Sequence, residues 1–204
     1  ALGEKVLEVA NIVDVRTDAW LLLEMASKID RNFYYMHMDE EISEDYVKEY
    51  ELLLKKRAEH IPLQYIVGET EFMGLKFKVN SNVLVPRQDT ETLVEEALKV
   101  VRPGMKVLDM CTGSGCIGLA IASRVKDARV TLADISKDAL AVAKRNVTRN
   151  HLSARVSCVQ ADALTPPSAF LGKFDMIVSN PPYITVAEMR ELPKSVNDFE
   201  PHLA

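Results

Sequence analysis

Apolar residues recur at helical spacing through the first sixty positions and then give way to short continuous runs, a change that divides the chain. Thr17-Asp18 is placed to cap a helix carrying Trp20, Leu21, Leu23, Met25 and Ile29. Ser43 precedes Glu44 and Asp45, an N-cap followed by acids where the helix dipole favours them. Tyr46, Val47, Tyr50, Leu53, Leu54 and Arg57 continue that helix to an exit at Pro62. Stripes of this kind form a core, so residues 1–62 are expected to be a small helical bundle. Phe72-Met73-Gly74-Leu75 then sets a glycine turn before Phe77 and Val79, which alternate with lysines. A β-hairpin linker over 63–85, bridging two domains, follows from that pattern.

Val83-Leu84-Val85-Pro86-Arg87 leads into a helix opened near Asp89-Thr90, with Leu93, Val94, Ala97, Leu98 and Val101 as its apolar face. From Lys106 onward, strand and helix alternate. Val107–Met110, Val130–Ala133, Arg155–Val159 and Phe174–Ser179 read as strands; Ile117–Ala122 and the stretch after Ser136, through Ala139, Leu140, Ala143 and Val147, read as helices. Alternation at this length predicts an α/β fold over 86–204, a doubly wound and mostly parallel Rossmann-like sheet. Such sheets bind ligands outside the carboxyl ends of their strands, at the topological switch point.

Composition narrows the class. The 204 residues carry a net charge of −5, which argues against a broad phosphate-binding face but leaves room for a local basic patch; no direct nucleic-acid partner is expected. Apolar residues make up 48% of the chain but form no run long enough to span a bilayer, and Glu4, Glu8 and Asp14 interrupt any signal-peptide pattern. Cys111, Cys116 and Cys158 make no disulfide framework and suit a reducing cytoplasm. No metal site is expected, because the four histidines lie far apart from one another and from any cysteine pair with zinc-ligand spacing.

The strand ends carry the chemistry. After the first comes Asp109-Met110-Cys111-Thr112-Gly113-Ser114-Gly115, whose close glycines let backbone approach a ligand. The second ends in Asp134, suited to the two hydroxyls of a ribose. The third leads to Asp162-Ala163, able to accept from an exocyclic amine such as that of adenine. Either acid alone could equally cap the turn or helix that follows it. The fourth strand stops at Asn180-Pro181-Pro182-Tyr183, where two prolines take the backbone out of the sheet. An amide side chain, free carbonyls and a ring at one strand tip suit a planar NH2 group. Gly113–Gly118 also fits G-x-G-x-x-G, but Asp109 would set a negative charge where a diphosphate sits, and hydride transfer has no use for Asn180–Tyr183.

With these motifs in view, the chain resembles the protein glutamine N-methyltransferases that act on peptide-chain release factors, the HemK/PrmC group. The matching segments are Pro62–Gly68, Phe72-Met73-Gly74, Val85–Glu91, Asp109–Gly115, Asp134-Ile135-Ser136, Phe174–Ile184 and Phe199-Glu200-Pro201. The resemblance implies a class I methyltransferase sheet, a substrate-recognition role for the helical front domain, S-adenosylmethionine (AdoMet) as donor, and the Gly-Gly-Gln glutamine of a release factor as acceptor. By position it assigns Asp109, Thr112, Gly113, Gly115, Asp134, Ile135, Asp162, Ala163 and Asn180 to the cofactor. Asn180, Pro181 and Tyr183 are the catalytic set, and Phe72, Pro86 and Pro182 join them around the glutamine. Arg87 serves either a ligand or the tie between its helix and the catalytic domain. A monomer with no membrane partner is expected.

The chain departs from the family pattern at Cys111, where a glycine is usual, and at Gln88, where a proline is common. A slightly different turn is expected at the cysteine. The C-terminal strands of the class are expected to be absent from this chain. Two other readings compete. One is a methyltransferase of adenine or cytosine amino groups, sharing the Asn-Pro-Pro-Tyr tip; the other is a non-catalytic binder of AdoMet or a translation factor.

Overall fold

The computed structural model describes residues 2–166, 171–185, 188 and 192–203. They form two compact units, residues 1–67 with 193–199, and residues 68–192 with 200–204.

The first unit contains helices α1 (Leu2–Val9), α2 (Val15–Ser27), α3 (Arg31–Met36), α4 (Glu44–Ala58), α5 (Leu63–Val67) and the short α9 (Lys194–Asn197). Its core is made of Leu7, Ile12, Ala19, Leu22, Ala26, Leu53 and Leu54. Each large aliphatic side chain buried there is worth about 1.5–3 kcal/mol. Ser43 caps α4 as expected, accepting from the Asp45 amide. The cap expected at Thr17-Asp18 is replaced by a start two residues earlier, and Ile29 lies beyond the helix end. Asp18 is instead 5% exposed and accepts from Arg57 Nε at 2.6 Å. Arg57, the one cation in the stripe read from α4, therefore turns inward to pair with a buried acid.

The second unit begins with a hairpin, β1 (Glu69–Phe72) and β2 (Leu75–Lys78), paired antiparallel with Phe72 opposite Leu75. Its two-residue turn puts both Met73 and Gly74 at positive φ, the geometry that matches strand twist in tight hairpins. Residues 63–67, expected within the hairpin segment, are the helix α5 instead. Helix α6 (Asp89–Val100) follows, then β3 (Lys106–Met110), α7 (Cys116–Arg124), β4 (Arg129–Asp134), α8 (Lys137–Arg149), β5 (Val156–Gln160) and β6 (Met176–Ser179). Ser136 caps α8 by accepting from the Ala139 amide. The four later strands pair in parallel in the order β5-β4-β3-β6. Val107, Leu119, Ile121, Val130 and Leu132 pack between sheet and helices. Strand order reverses between β3 and β6, and in sheets of this class ligands lie outside the carboxyl ends of the strands at that switch point.

Candidate functional site

Register brings the candidate residues to one edge. Met110 lies opposite Ala133 on one side and Ser179 on the other, so Cys111, Asp134 and Asn180 are each the next residue along three adjacent strands. Asp134 lies opposite Gln160, which brings Asp162 to the same end of β5. The loops 111–115 and 180–183 thus leave neighbouring strands side by side. Ser179 Oγ ties them by donating to the Met110 carbonyl at 2.7 Å.

Cys111 opens the first loop with φ at +60°, a left-handed conformation that glycine adopts freely. The cysteine thus adopts a conformation that a glycine would hold without strain. Its β-carbon carries a strain of about 1 kcal/mol. Cys111→Gly is therefore expected to raise the unfolding free energy by up to about 1 kcal/mol, read from the urea midpoint, since glycine's greater unfolded entropy offsets part of the relief.

Asp109 points into the protein. It is fully buried; its Oδ2 accepts from Thr112 Oγ1 at 2.6 Å and from the Gly118 amide at 2.9 Å, while Oδ1 has no partner. Burial, with the Asp134 charge as a minor contributor, pushes its carboxyl up to about 7 against the pull of those two donors. It shapes the loop from beneath, and its side chain lines no surface. Thr112, expected beside the cofactor, is buried with it and spends its hydroxyl on Asp109. Gly118 is set by close approach: a β-carbon there would collide with Leu132 Cδ2 and crowd Val130 and Asp109. Its amide, near the start of α7, is already used by Asp109, which leaves that helix end poorly suited to a diphosphate.

Asp134 faces the loop and stays half-buried. Its Oδ2 accepts from the Gly113 amide and its Oδ1 from the Ser136 amide, both at 2.9 Å. Gly113 borders open space: a β-carbon there meets nothing within 4 Å. Ile135 is half exposed, and its carbonyl receives Gln160 Nε2. Asp162 uses Oδ1 to cap its own turn through the Leu164 amide, and Ala163 is exposed beside it.

At the β6 tip, Asn180 is half-buried and its Nδ2 is turned toward Thr90 Oγ1 at 3.4 Å, which leaves the amide oxygen as the acceptor it offers. Pro181 and Pro182 are exposed and Tyr183 is 78% exposed. Pro86 is half-buried in the segment leading to α6. Phe72, expected as a wall of the site, is 2% exposed and meets Phe77 edge-on with ring centroids 6.2 Å apart. Alternation along β1 turns that ring into the core, so it supports the site and does not line it. Arg87 resolves as a tie within this unit: Nη2 lies 2.6 Å from Oε2 of the buried Glu200. Burial raises the Glu200 carboxyl even with that guanidinium beside it.

Sequence reading passed over Thr90, Ser179 and Asn146. The last is fully buried on α8. One signal was available: Asn146 falls on the apolar face set by Ala139, Leu140, Ala143 and Val147, where an amide needs a reason to be.

Comparison with known proteins adds a second line of support. Residues 1–68 match the PrmC N-terminal domain family, and residues 87–193 match the methyltransferase small domain family. The chain is 42% identical to the release factor glutamine methyltransferase of Clostridium acetobutylicum over 201 residues, covering 98% of this chain and 70% of that protein. It is 39% identical to the enzyme of the same name from Chlorobaculum tepidum, covering 95% of this chain and 69% of the relative. With the Geobacter sulfurreducens enzyme, identity is 40%, covering 95% and 67%.

Proposed function

This chain belongs to the release factor glutamine methyltransferase family, and from that premise we propose that it moves a methyl group from AdoMet to the side-chain nitrogen of the Gly-Gly-Gln glutamine of a peptide-chain release factor. One observation carries the reading. The glycine loop after β3 and the Asn-Pro-Pro-Tyr tip after β6 start from paired residues at the switch point of the sheet.

The residues present fit the donor. Asp134 sets a negative charge beside a loop whose Gly113 borders open space, which favours a cationic sulfonium over a dinucleotide. Gly113 and Gly115 would border its amino-acid end, Asp134 and Ile135 its ribose, and Asp162 and Ala163 its base. When bound, AdoMet supplies an electrophilic methyl group.

The protein's own residues prepare the acceptor. An amide nitrogen is a poor nucleophile because its lone pair is delocalised into the carbonyl, so orientation and electrostatics must supply the rate. Asn180 Oδ1 and the Pro181 carbonyl accept the two amide hydrogens of the glutamine and fix its plane. Tyr183 covers one face, and Pro86 and Pro182 confine the opposite side. No strong base is needed, because the nitrogen becomes acidic once it is alkylated and its proton can then leave to solvent. The helical front domain contributes substrate recognition. We place the reaction in the cytoplasm, with the chain acting as a monomer; Cys111, Cys116 and Cys158 are all free thiols. Among the described residues no helix is long and apolar enough to cross a membrane.

The direct test is transfer of labelled methyl from AdoMet to purified release factor, followed by mass mapping of the modified residue. Label on the Gly-Gly-Gln glutamine supports the proposal. Label on DNA or RNA amino groups instead, or on nothing, overturns it. A second measurement addresses the cofactor half. Asp134→Ala is expected to weaken AdoMet by roughly ten- to a hundredfold in calorimetry, the worth of a charge-assisted hydrogen bond. Unchanged affinity would remove Asp134 from the site.

A further inference from the structure

We infer that Asn146 is a positioning residue for the loop 111–115, clamping its last peptide to the β2 strand of the hairpin. The inference rests on the reading of that loop as the cofactor seat. Asn146 is 0% exposed and spends its amide on three backbone groups of two distant segments. Oδ1 accepts from the Lys78 amide at 2.6 Å; Nδ2 donates to the Lys78 carbonyl at 3.0 Å and to the Ser114 carbonyl at 2.9 Å. The N–H of Lys78 demands an oxygen and the two carbonyls demand a nitrogen, so only one orientation of the amide satisfies all three.

Both ends of the clamp have a physical cause. Among the described residues the hairpin is a two-stranded sheet, and the edge of β2 facing away from β1 meets no third strand. Asn146 meets the N–H and C=O of Lys78 as a neighbouring strand would, and Asn150 continues the clasp by donating to the Lys76 carbonyl at 3.1 Å. At the other end, Gly115 is the N-cap of α7, so the Ser114 carbonyl lies just outside the helix and Asn146 receives it. The Gly118 amide, one of the first-turn donors that a helix leaves without an internal partner, goes to Asp109 Oδ2. A carboxylate from β3 and an amide from α8 thus hold the two sides of the entry into α7. Between them lies Gly115 at φ +85°, the residue that ends the loop. The backbone of Gly113–Gly115 is therefore set by side chains outside the loop, and its placement is linked to the hairpin through one amide.

The test compares Asn146→Ala with Asn150→Ala, using calorimetry with S-adenosylhomocysteine and amide hydrogen exchange without ligand. Asn150→Ala loosens the hairpin clasp but leaves the Ser114 contact in place, so it reports the merely structural effect. Asn146→Ala is expected to weaken the ligand at least roughly tenfold, the worth of one well-made hydrogen bond, and to speed exchange across residues 112–118. Asn150→Ala should stay within about twofold of the parent chain on the same scale. Should the alanine variant not fold, Asn146→Ser leaves a smaller hole and keeps a hydroxyl near Lys78, and it is expected to show the same loop exchange. Parent-like affinity and exchange in a folded Asn146 variant would overturn the inference, as would an equal loss in Asn150→Ala. If the parent chain itself binds no S-adenosylhomocysteine, the cofactor reading fails. The exchange data then still decide the clamp, since unchanged protection at 112–118 refutes it.

Discussion

Asn180→Ala is expected to lower turnover by roughly two to three orders of magnitude, corresponding to about 3–4 kcal/mol of lost transition-state stabilisation. The size follows from what the side chain does. It is held half-buried at the tip of β6, with its nitrogen turned to Thr90, so its oxygen is a preorganised acceptor that needs no rearrangement. An acceptor glutamine without that partner rotates freely and presents its nitrogen in the productive direction only part of the time. Turnover should fall while AdoMet affinity, which the proposal assigns to the β3 and β4 ends, stays near that of the parent chain. Steady-state kinetics with release factor, alongside calorimetry with the cofactor, separate the two. A large loss of cofactor affinity with normal turnover would refute the role given to Asn180. Thr90→Ala should produce a smaller effect of the same kind, because it releases the nitrogen of Asn180 without removing the oxygen.

A second large effect is expected in the pH dependence of stability, and its source is Asp109. Its carboxyl rises from an ordinary 3.8 to about 7 on folding because the group is wholly removed from water and one of its oxygens has no donor. Between those values the folded chain keeps a proton that the unfolded chain has lost, so stability falls as pH rises. The contribution is fully present below pH 4 and has been lost above about pH 7, a difference of roughly 4 kcal/mol. In Asp109→Asn the side-chain carbonyl can still accept from Thr112 and Gly118, but nothing titrates. Urea unfolding of both proteins between pH 4 and pH 8 isolates the term, because every other titrating group cancels in the difference. The parent should lose ground to the variant at about 1.4 kcal/mol per pH unit through the middle of that range. Parallel curves would show that Asp109 keeps one charge state throughout. The same acid that shapes the 111–115 loop would then do so at no cost in stability.

These two residues illustrate where a one-dimensional reading succeeds and where it stops. Features settled within a few positions were legible. Ser43 and Ser136 cap their helices because a hydroxyl reaches amides two or three residues ahead whatever the rest of the chain does. The β-runs at 107–110, 130–133 and 174–179 declared themselves by apolar content and bounding turns. Their alternation with helices implied the parallel sheet whose carboxyl edge gathers Gly113, Asp134, Asp162 and Asn180. Features that depend on a distant partner were not legible. Asp18 looked like a cap until Arg57, 39 residues on, came to pair with it. Arg87 could not be assigned before Glu200 arrived from 113 residues away. Phe72 and Asp109 sit in segments named for the site, yet packing turned both side chains inward. Asn146 needed three backbone groups from two segments to explain one buried amide. Local hydrogen bonding and periodicity by themselves determined which elements form and which ends meet. The folded core decided which way each side chain faces, because burial penalises a polar atom until a partner is found, and the partner is supplied only when the chain returns.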